Sequence, residues 1–581
     1  MPDKKKKPIA KGKTEVRQKL KVVLCWHMHQ PQYKNMASGT YHLPWTYLHA
    51  TKDYVDMAAL LEDNPKARAV INFAPILLEQ ISDYAGQLDA ALSEGHTVSD
   101  PLLAALASPT LPMHKEERLL LVSQCLRVNE ERLINRFPHY KRLAKIGRML
   151  EADIELMHYL DDRFLVDILC WYHLAWLGET VHRTDKRVQY LVEKGCDFAL
   201  HDRIEIVTII AELLKTVIAR YRKLAESGQI EISMNPYAHP IMPLLLDMQS
   251  ARESWADIVM PACEHYPGGK HRAAWHMEYG IKEFKKHFGF APVGCWPSEG
   301  ALNTATLELM DKYGIKWAAS GEGVLRGSLA SEERLEEVET SHALYKPYRA
   351  GKSKAAAFFR DDGLSDLIGF TYSSWHGDDA AADMAKHLRN IAASCEHKGK
   401  QVVSIILDGE NAWEHYPHNG YYFLSALYRE LSNHPDLELT TFTDALNDVD
   451  IGQLDNIVTG SWVYGTLSTW IGDKDKNYGW EMLAEAKNNY DKVIASGKLS
   501  KAQRTRAEQQ LALCEGSDWF WWFGDYNPAD SVSDFEFLFR MHLTNLYAVL
   551  GVEPPEYLSH IMAHGSGAPE HGGAMRRGSG S

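Results

Sequence analysis

Residues 405–417 read IILDGENAWEHYP. Three apolar residues, Ile405 to Leu407, pass directly into Asp408, Gly409 and Glu410, and Trp413 follows. A strand that only closes a core ends in turn residues, whereas this one ends in acids and an aromatic ring. Other apolar runs end the same way. KVVLCW (21–26) delivers His27, His29 and Gln30. IEISMN (230–235) carries Glu231 and leads to Asn235, Tyr237 and His239. PVGCWP (292–297) delivers Trp296, Ser298 and Glu299, and AAAFFR (355–360) delivers Arg360, Asp361 and Asp362. A single acid at a strand end has a plain alternative as a helix N-cap. Several such ends on one rim point to a site, and two carboxylates among aromatic rings suit glycoside cleavage. One carboxylic acid protonates the leaving oxygen, while the other attacks the anomeric carbon or activates water. Aromatic faces stack on sugar rings, and His, Asn and Arg bond the hydroxyls.

The elements that must hold these residues are legible as apolar runs between long helical stretches. RAVINF (68–73), IKWAAS (315–320), VVSIIL (402–407) and LELTTF (437–442) complete a set of eight strand candidates. Most are near-continuously apolar, as parallel strands covered on both faces are. An α/β fold follows, with the ligand site at the carboxyl ends of the strands. The expected division is a basic disordered tail over 1–19, a catalytic unit over 20–445 with a helical insertion at 98–225, a helical region over 446–560, and a disordered Gly/Ser-rich tail over 561–581. The run WFWW (519–522) reads as core between the helical region and the strands, and His542 as a structural histidine.

Composition narrows the function. The 581 residues carry a net charge of −14, which argues against a nucleic-acid binder. No apolar run reaches the roughly 18 residues of a membrane span. The eight cysteines contain no C-x-x-C pair and sit in apolar stretches, as buried thiols of a reducing, cytoplasmic compartment do. The 16 Trp and 27 Tyr ask for flat ligands or a large aromatic core.

HMHQPQY, GQIEISMNPYAHPIMPLL, GCWPSEGA, LDGENAWEHYP and GSWVYGTLSTWIGDKDKN, in this order, resemble the five sequence regions of glycoside hydrolase family 57. FFRDDGLSDLIGF and DWFWWFGDYN are also similar to that family. The resemblance implies a (β/α)7 barrel and a retaining mechanism on α-glucans without metal or cofactor. It is nearest to the α-amylase and amylopullulanase-like members, with α-1,4 links as substrate and α-1,6 links a further option. By motif position Glu299 would be the nucleophile and Asp408 the general acid/base. His27, His29 and Glu231 would bind the sugar at the cleavage position, with Arg360 and Asp361 near by, and Trp296, Trp413, Trp462 and Trp470 would line the cleft. Asp408 would hold a proton because the Glu299 carboxylate and burial raise its pKa. With seven strands in the family, LELTTF becomes an edge strand or no strand. Asp362 stands where the family pattern suggests His.

Three other readings compete. The same two carboxylates serve a 4-α-glucanotransferase when a sugar replaces water as acceptor. H-x-H at the first strand end also opens the metal site of some hydrolases, with Asp408 and His239 as further ligands. A glucan-binding protein without turnover would share the aromatic content.

Overall fold

The computed structural model describes residues 19–334, 336–337, 341–395, 400–567 and 574–576. All eight apolar runs form strands, and two short ones join them. They are β1 (Leu20–Met28), β2 (Ala69–Phe73), β3 (Ile230–Met234), β4 (Gly294–Cys295), β5 (Trp317–Ser320), β6 (Tyr348–Ala350), β7 (Ala356–Phe359), β8 (Val402–Asp408), β9 (Leu437–Leu439) and β10 (Gly452–Leu454). Seven of them, in the order β8-β1-β2-β3-β4-β5-β7, run parallel and side by side. A bridge between Arg360 and Ser404, with Asp361 N–H donating to the Ser404 carbonyl at 2.8 Å, joins β7 back to β8. The ring is a (β/α)7 barrel. β9 pairs only with the first residues of β1, Leu20 to Val22, and lies outside the ring, as an edge strand does. β6 and β10 extend the sheet beyond β7.

Alternation along each strand sorts the residues into two layers. Val23, Cys25, Val70, Trp317, Ala319, Phe358, Val402 and Ile406 share one buried cluster inside the barrel, plugged at its base by Phe442. Val22, Leu24, Trp26, Ile71, Val403, Ile405 and Leu407 pack outward into the main core under the helices. Since side chains alternate with period two, the next inward positions are His27 on β1 and Asp408 on β8. Register then brings Asp408, His27, Asn72 and Ser233 side by side across four strands.

The chain from β2 to β3 is helical from Pro75–Glu94 to Leu200–Glu226, so the helical run starts well before residue 98. Its local signals are plain. Asp100 accepts hydrogen bonds from the Leu102 and Leu103 N–H groups, and Pro101 follows at the first helical position, where its missing N–H costs nothing. After β10 come helices Lys474–Ala495, Lys501–Cys514, Ser517–Trp522 and Ala529–Leu550. Glu515, between the second and third of these, is fully buried and ties them to helix Gly269–Phe288. It accepts from Arg272 Nη2 at 2.8 Å, His276 Nε2 at 2.7 Å and the Tyr266 hydroxyl at 2.6 Å. Those partners hold its carboxyl down at about 2 despite burial.

All eight cysteines are free thiols. Among the described residues no helix is long and apolar enough to cross a membrane. Residues 561–567 and 574–576 of the Gly/Ser-rich end are packed on the protein, where a disordered tail is expected from sequence.

Candidate active site

A cavity of about 330 Å³ opens at the carboxyl ends of the strands. Its floor is made by His27, His29, Glu299, Asp408 and Glu410. Its walls come from Trp45, Arg127, Trp462, Asp518, Trp521, Trp522 and Phe535, which belong to elements far apart in sequence.

Each floor residue is fixed by a specific partner. His27 Nδ1 meets Asn72 Oδ1 at 2.8 Å, and Asn72 Nδ2 donates to Ser233 Oγ at 3.0 Å. The amide oxygen can only accept, so Nδ1 carries the proton and Nε2 is left as an acceptor. Burial lowers the His27 pKa to about 3, which keeps the ring neutral. His29 Nε2 donates to Asp518 Oδ1 at 2.8 Å. His239 stacks on His29 with ring centroids 3.8 Å apart, and its Nδ1 bonds Ser517 Oγ at 2.8 Å. Among the described residues, His29 Nδ1, His239 Nε2 and Glu410 Oε2 are buried polar atoms here with no protein partner. Buried polar groups in folded proteins are almost always paired, so a polar ligand or water is the natural complement.

Glu299 and His239 both take left-handed backbone conformations, with φ of 58° and 59°. Such strain in a non-glycine residue costs on the order of 1–3 kcal/mol and clusters at functional sites. Gly300 follows, also at positive φ, and a Cβ there would sit 2.8 Å from the Trp296 ring. The turn aims the Glu299 carboxyl into the cavity. Trp462 Nε1 donates to its Oε2 at 3.0 Å, and His239 Nδ1 lies 4.0 Å from Oε1. Asp408 Oδ2 accepts from Asn411 Nδ2 at 2.9 Å.

Both carboxyls are hard to ionise. Burial pushes Asp408 up to about 6, against the Asn411 hydrogen bond and the positive charge of Arg360. Burial and the charges of Asp408 and Asp518 push Glu299 well above the ordinary carboxylate range, against the Trp462 N–H. Glu410 is raised too, by burial and by Asp408. The sequence suggests that the Glu299 charge keeps the proton on Asp408. In the free site Glu299 is raised as well, by burial first and then by the charges of Asp408 and Asp518.

The sequence model of the family described as glycosyl hydrolase family 57 matches residues 23–457, well over half of the chain. The chain belongs to glycosyl hydrolase family 57. Solved structures of that kind share its fold. A GH57-type branching enzyme from Pyrococcus horikoshii has a TM-score of 0.57 at 14% identity, covering 91% of this chain and 89% of that one. The α-amylase AmyC from Thermotoga maritima has a TM-score of 0.51 at 14% identity, covering 92% and 93%. A 4-α-glucanotransferase from Thermococcus litoralis has a TM-score of 0.50 at 11% identity, covering 93% and 61%.

Of the residues that the family 57 resemblance nominates, the cavity gathers His27, His29, Glu299, Asp408 and Trp462. Arg360 lines an adjoining space with Asp408 and Trp462. Its guanidinium is fully engaged, by Asp362 at 2.6 Å, Asp366 at 2.8 Å and the Ile406 carbonyl at 2.8 Å. Asp362 thus serves as counter-ion to Arg360, which pins β8 two residues before Asp408.

Five nominated residues lie elsewhere. Glu231 faces inward but one layer too deep, in register with Val70, and accepts from Trp317 Nε1 at 2.6 Å and Thr443 N–H at 3.0 Å. It anchors the helix that plugs the barrel base. Trp296 is wholly buried beneath Glu299, edge-on to Trp462 at 5.3 Å. Trp413 is 1% exposed and packs outward against Trp26, its N–H donating to the Gly409 carbonyl at 2.9 Å. It secures the turn after Asp408 and offers no face to the cavity. Trp470 is buried behind Trp521, 5.9 Å between ring centroids. Asp361 caps helix Asp362–Asp366 through the Leu364 N–H at 2.8 Å.

Sequence reading names Glu410 among the strand-end acids without giving it a role, and misses Asp518, Trp521 and Trp522 as site residues. Helix Ser517–Trp522 splits the WFWW run: Trp519 enters the core while Trp521 and Trp522 line the cavity. Among the described residues one group, His29, His239 and Asp518, has ligand atoms all within 4.8 Å and could hold a cation. His29 Nε2 and His239 Nδ1 are bonded to Asp518 and Ser517, which leaves the second nitrogen of each ring, His29 Nδ1 and His239 Nε2, as the atoms that could face a ligand.

Proposed function

We propose that the protein is a retaining enzyme acting on α-glucans at α-1,4 links, with Glu299 as nucleophile and Asp408 as acid/base. The observation that carries this reading is the pair of buried carboxyls in one aromatic-walled cavity of a family 57 barrel.

The chemistry follows from the partners. Two raised carboxyls in one cavity hold one proton between them over a broad range of pH. A glycosidic oxygen against Asp408 accepts its O–H and favours the protonated form there. The Trp462 N–H favours the carboxylate on Glu299. Glu299 then attacks the anomeric carbon while Asp408 delivers its proton to the leaving oxygen, giving a covalent glycosyl-enzyme. Glu299 is now an uncharged ester, and Asp408, ionised, takes a proton from the incoming acceptor. In this reading His27 Nε2, His29 Nδ1 and Glu410 bond sugar hydroxyls, and Trp522 and Trp45 stack on rings.

Hydrolysis is the primary reading. Transfer is the alternative reading, in which a sugar hydroxyl replaces water as acceptor at the same two carboxyls. Incubation with maltoheptaose, followed by chromatography, tests both. Shorter oligosaccharides with glucose support hydrolysis, and shorter with longer ones support a 4-α-glucanotransferase. New α-1,6 links seen by NMR would make it a branching enzyme, and no turnover of any α-glucan would overturn the proposal.

A further inference from the structure

The chain beyond the last long helix returns to the cavity. Ser566 N–H donates to the Asp525 carbonyl at 2.9 Å and Gly567 N–H to the Asn527 carbonyl at 3.0 Å. The approach is so close that a Cβ on Gly567 would lie 1.7 Å from the Tyr526 oxygen. Further on, Ala574 lines the catalytic cavity and Met575 packs against the core. Arg576 places its guanidinium 4.3 Å over the Trp521 ring. It also donates to the Asn527 side-chain oxygen at 3.3 Å, to the Trp521 carbonyl at 3.4 Å and to Thr469 Oγ1 at 3.4 Å. The space beside Asp408 and Trp462 is bounded on its far side by these three tail residues.

We propose that Ala574–Arg576 determine chain-length specificity by closing the cleft over Trp521, where a glucose ring would otherwise stack. The inference rests on the α-glucan reading above. A guanidinium and the C–H face of a sugar compete for the same ring surface, since both are drawn to the electron-rich face of Trp. With Arg576 seated there, that face of Trp521 is closed to a sugar ring. Without it, Trp521 offers one more position.

The test compares the full chain with a chain ending at Gly567, on maltotriose through maltoheptaose. The full chain should reach a plateau of kcat/KM at a shorter oligosaccharide. The shortened chain should gain a further rise, roughly threefold to tenfold for the next glucose unit, the worth of one aromatic contact. The variant Arg576→Ala in the full chain should move the profile the same way, and carries the test if the shortened chain melts earlier. An unchanged profile overturns the inference, as does an equal loss at every length, which would make the tail a substrate contact. If no form turns over or binds any oligosaccharide, the glucan reading itself has failed and this inference falls with it. Turnover with an unchanged profile sinks the tail alone.

Discussion

Trp462 donates its indole N–H to the Glu299 carboxyl at 3.0 Å, and the Trp462 backbone N–H donates to the Glu299 carbonyl at 3.2 Å. One residue thus holds both ends of the strained turn. A hydrogen bond to a charged group is worth about 1.5–3 kcal/mol, so Trp462 is what keeps Glu299 usable as a carboxylate among acidic neighbours. Trp462→Phe should lower kcat by roughly 10- to 150-fold, the same energy expressed as rate. It should also shift the alkaline limb of the pH profile upward, because Glu299 then holds its proton more firmly. A loss confined to KM would assign Trp462 to sugar stacking only.

The pH profile itself is constrained. The productive site carries one proton on the pair. Below about 6, the raised value of Asp408, a second proton binds and removes the nucleophile. At high pH the last proton leaves as the pH passes the raised value of Glu299. The kcat/KM profile should therefore be a bell whose acid limb lies near 6, above that of an ordinary carboxylate. A profile flat down to pH 4 would contradict the shared-proton account.

Asp408→Asn should lower activity by roughly 10²- to 10⁴-fold, with the loss smallest for donors whose leaving group needs no proton. Steady-state rates on an activated aryl glycoside and on maltoheptaose measure that difference. Equal losses on both would remove Asp408 from the acid role.

How much of this was legible in the sequence depends on depth. The parallel strands and the inward residues at their ends could be read, because apolar runs and period two fix them. Asp408 and His27 lie inward at the strand ends, on the cavity floor, for that reason. Glu231 has the right face but the wrong layer, since parity does not say how far up the barrel a residue sits. Trp413 is turned into the core by the short helix Asn411–His415 that follows β8, which a motif position alone conceals. β6 and β10, three residues each, are too short to leave a periodic signal. Trp521 and Trp522 are separated from Trp519 only by the turn of a six-residue helix, whose orientation is set by the buried Glu515 beside it.

That anchor carries a stability prediction. Glu515 has a folded value of about 2, below its ordinary value of 4.5. Its contribution is complete above the ordinary value and is lost as pH falls toward the folded one. Arg272→Met leaves the buried carboxylate with too few partners and should cost about 3–5 kcal/mol. The acid-unfolding midpoint should move to higher pH. Circular dichroism against pH would show it, and an unchanged midpoint would mean that His276 and Tyr266 suffice.

Dialysis against a chelator should leave turnover unchanged, because a two-carboxyl glycosyl transfer needs no cation. Loss of activity restored by zinc would revive the metal-dependent reading.

The central claim is that Glu299 forms a bond to the sugar. A slow fluorinated α-glucosyl donor, whose glycosyl-enzyme accumulates, followed by mass spectrometry of the digested protein, tests it most directly. The account predicts an added glycosyl mass on the peptide that carries Glu299. A mass on another residue, or unmodified protein turning over with inverted products, would contradict it.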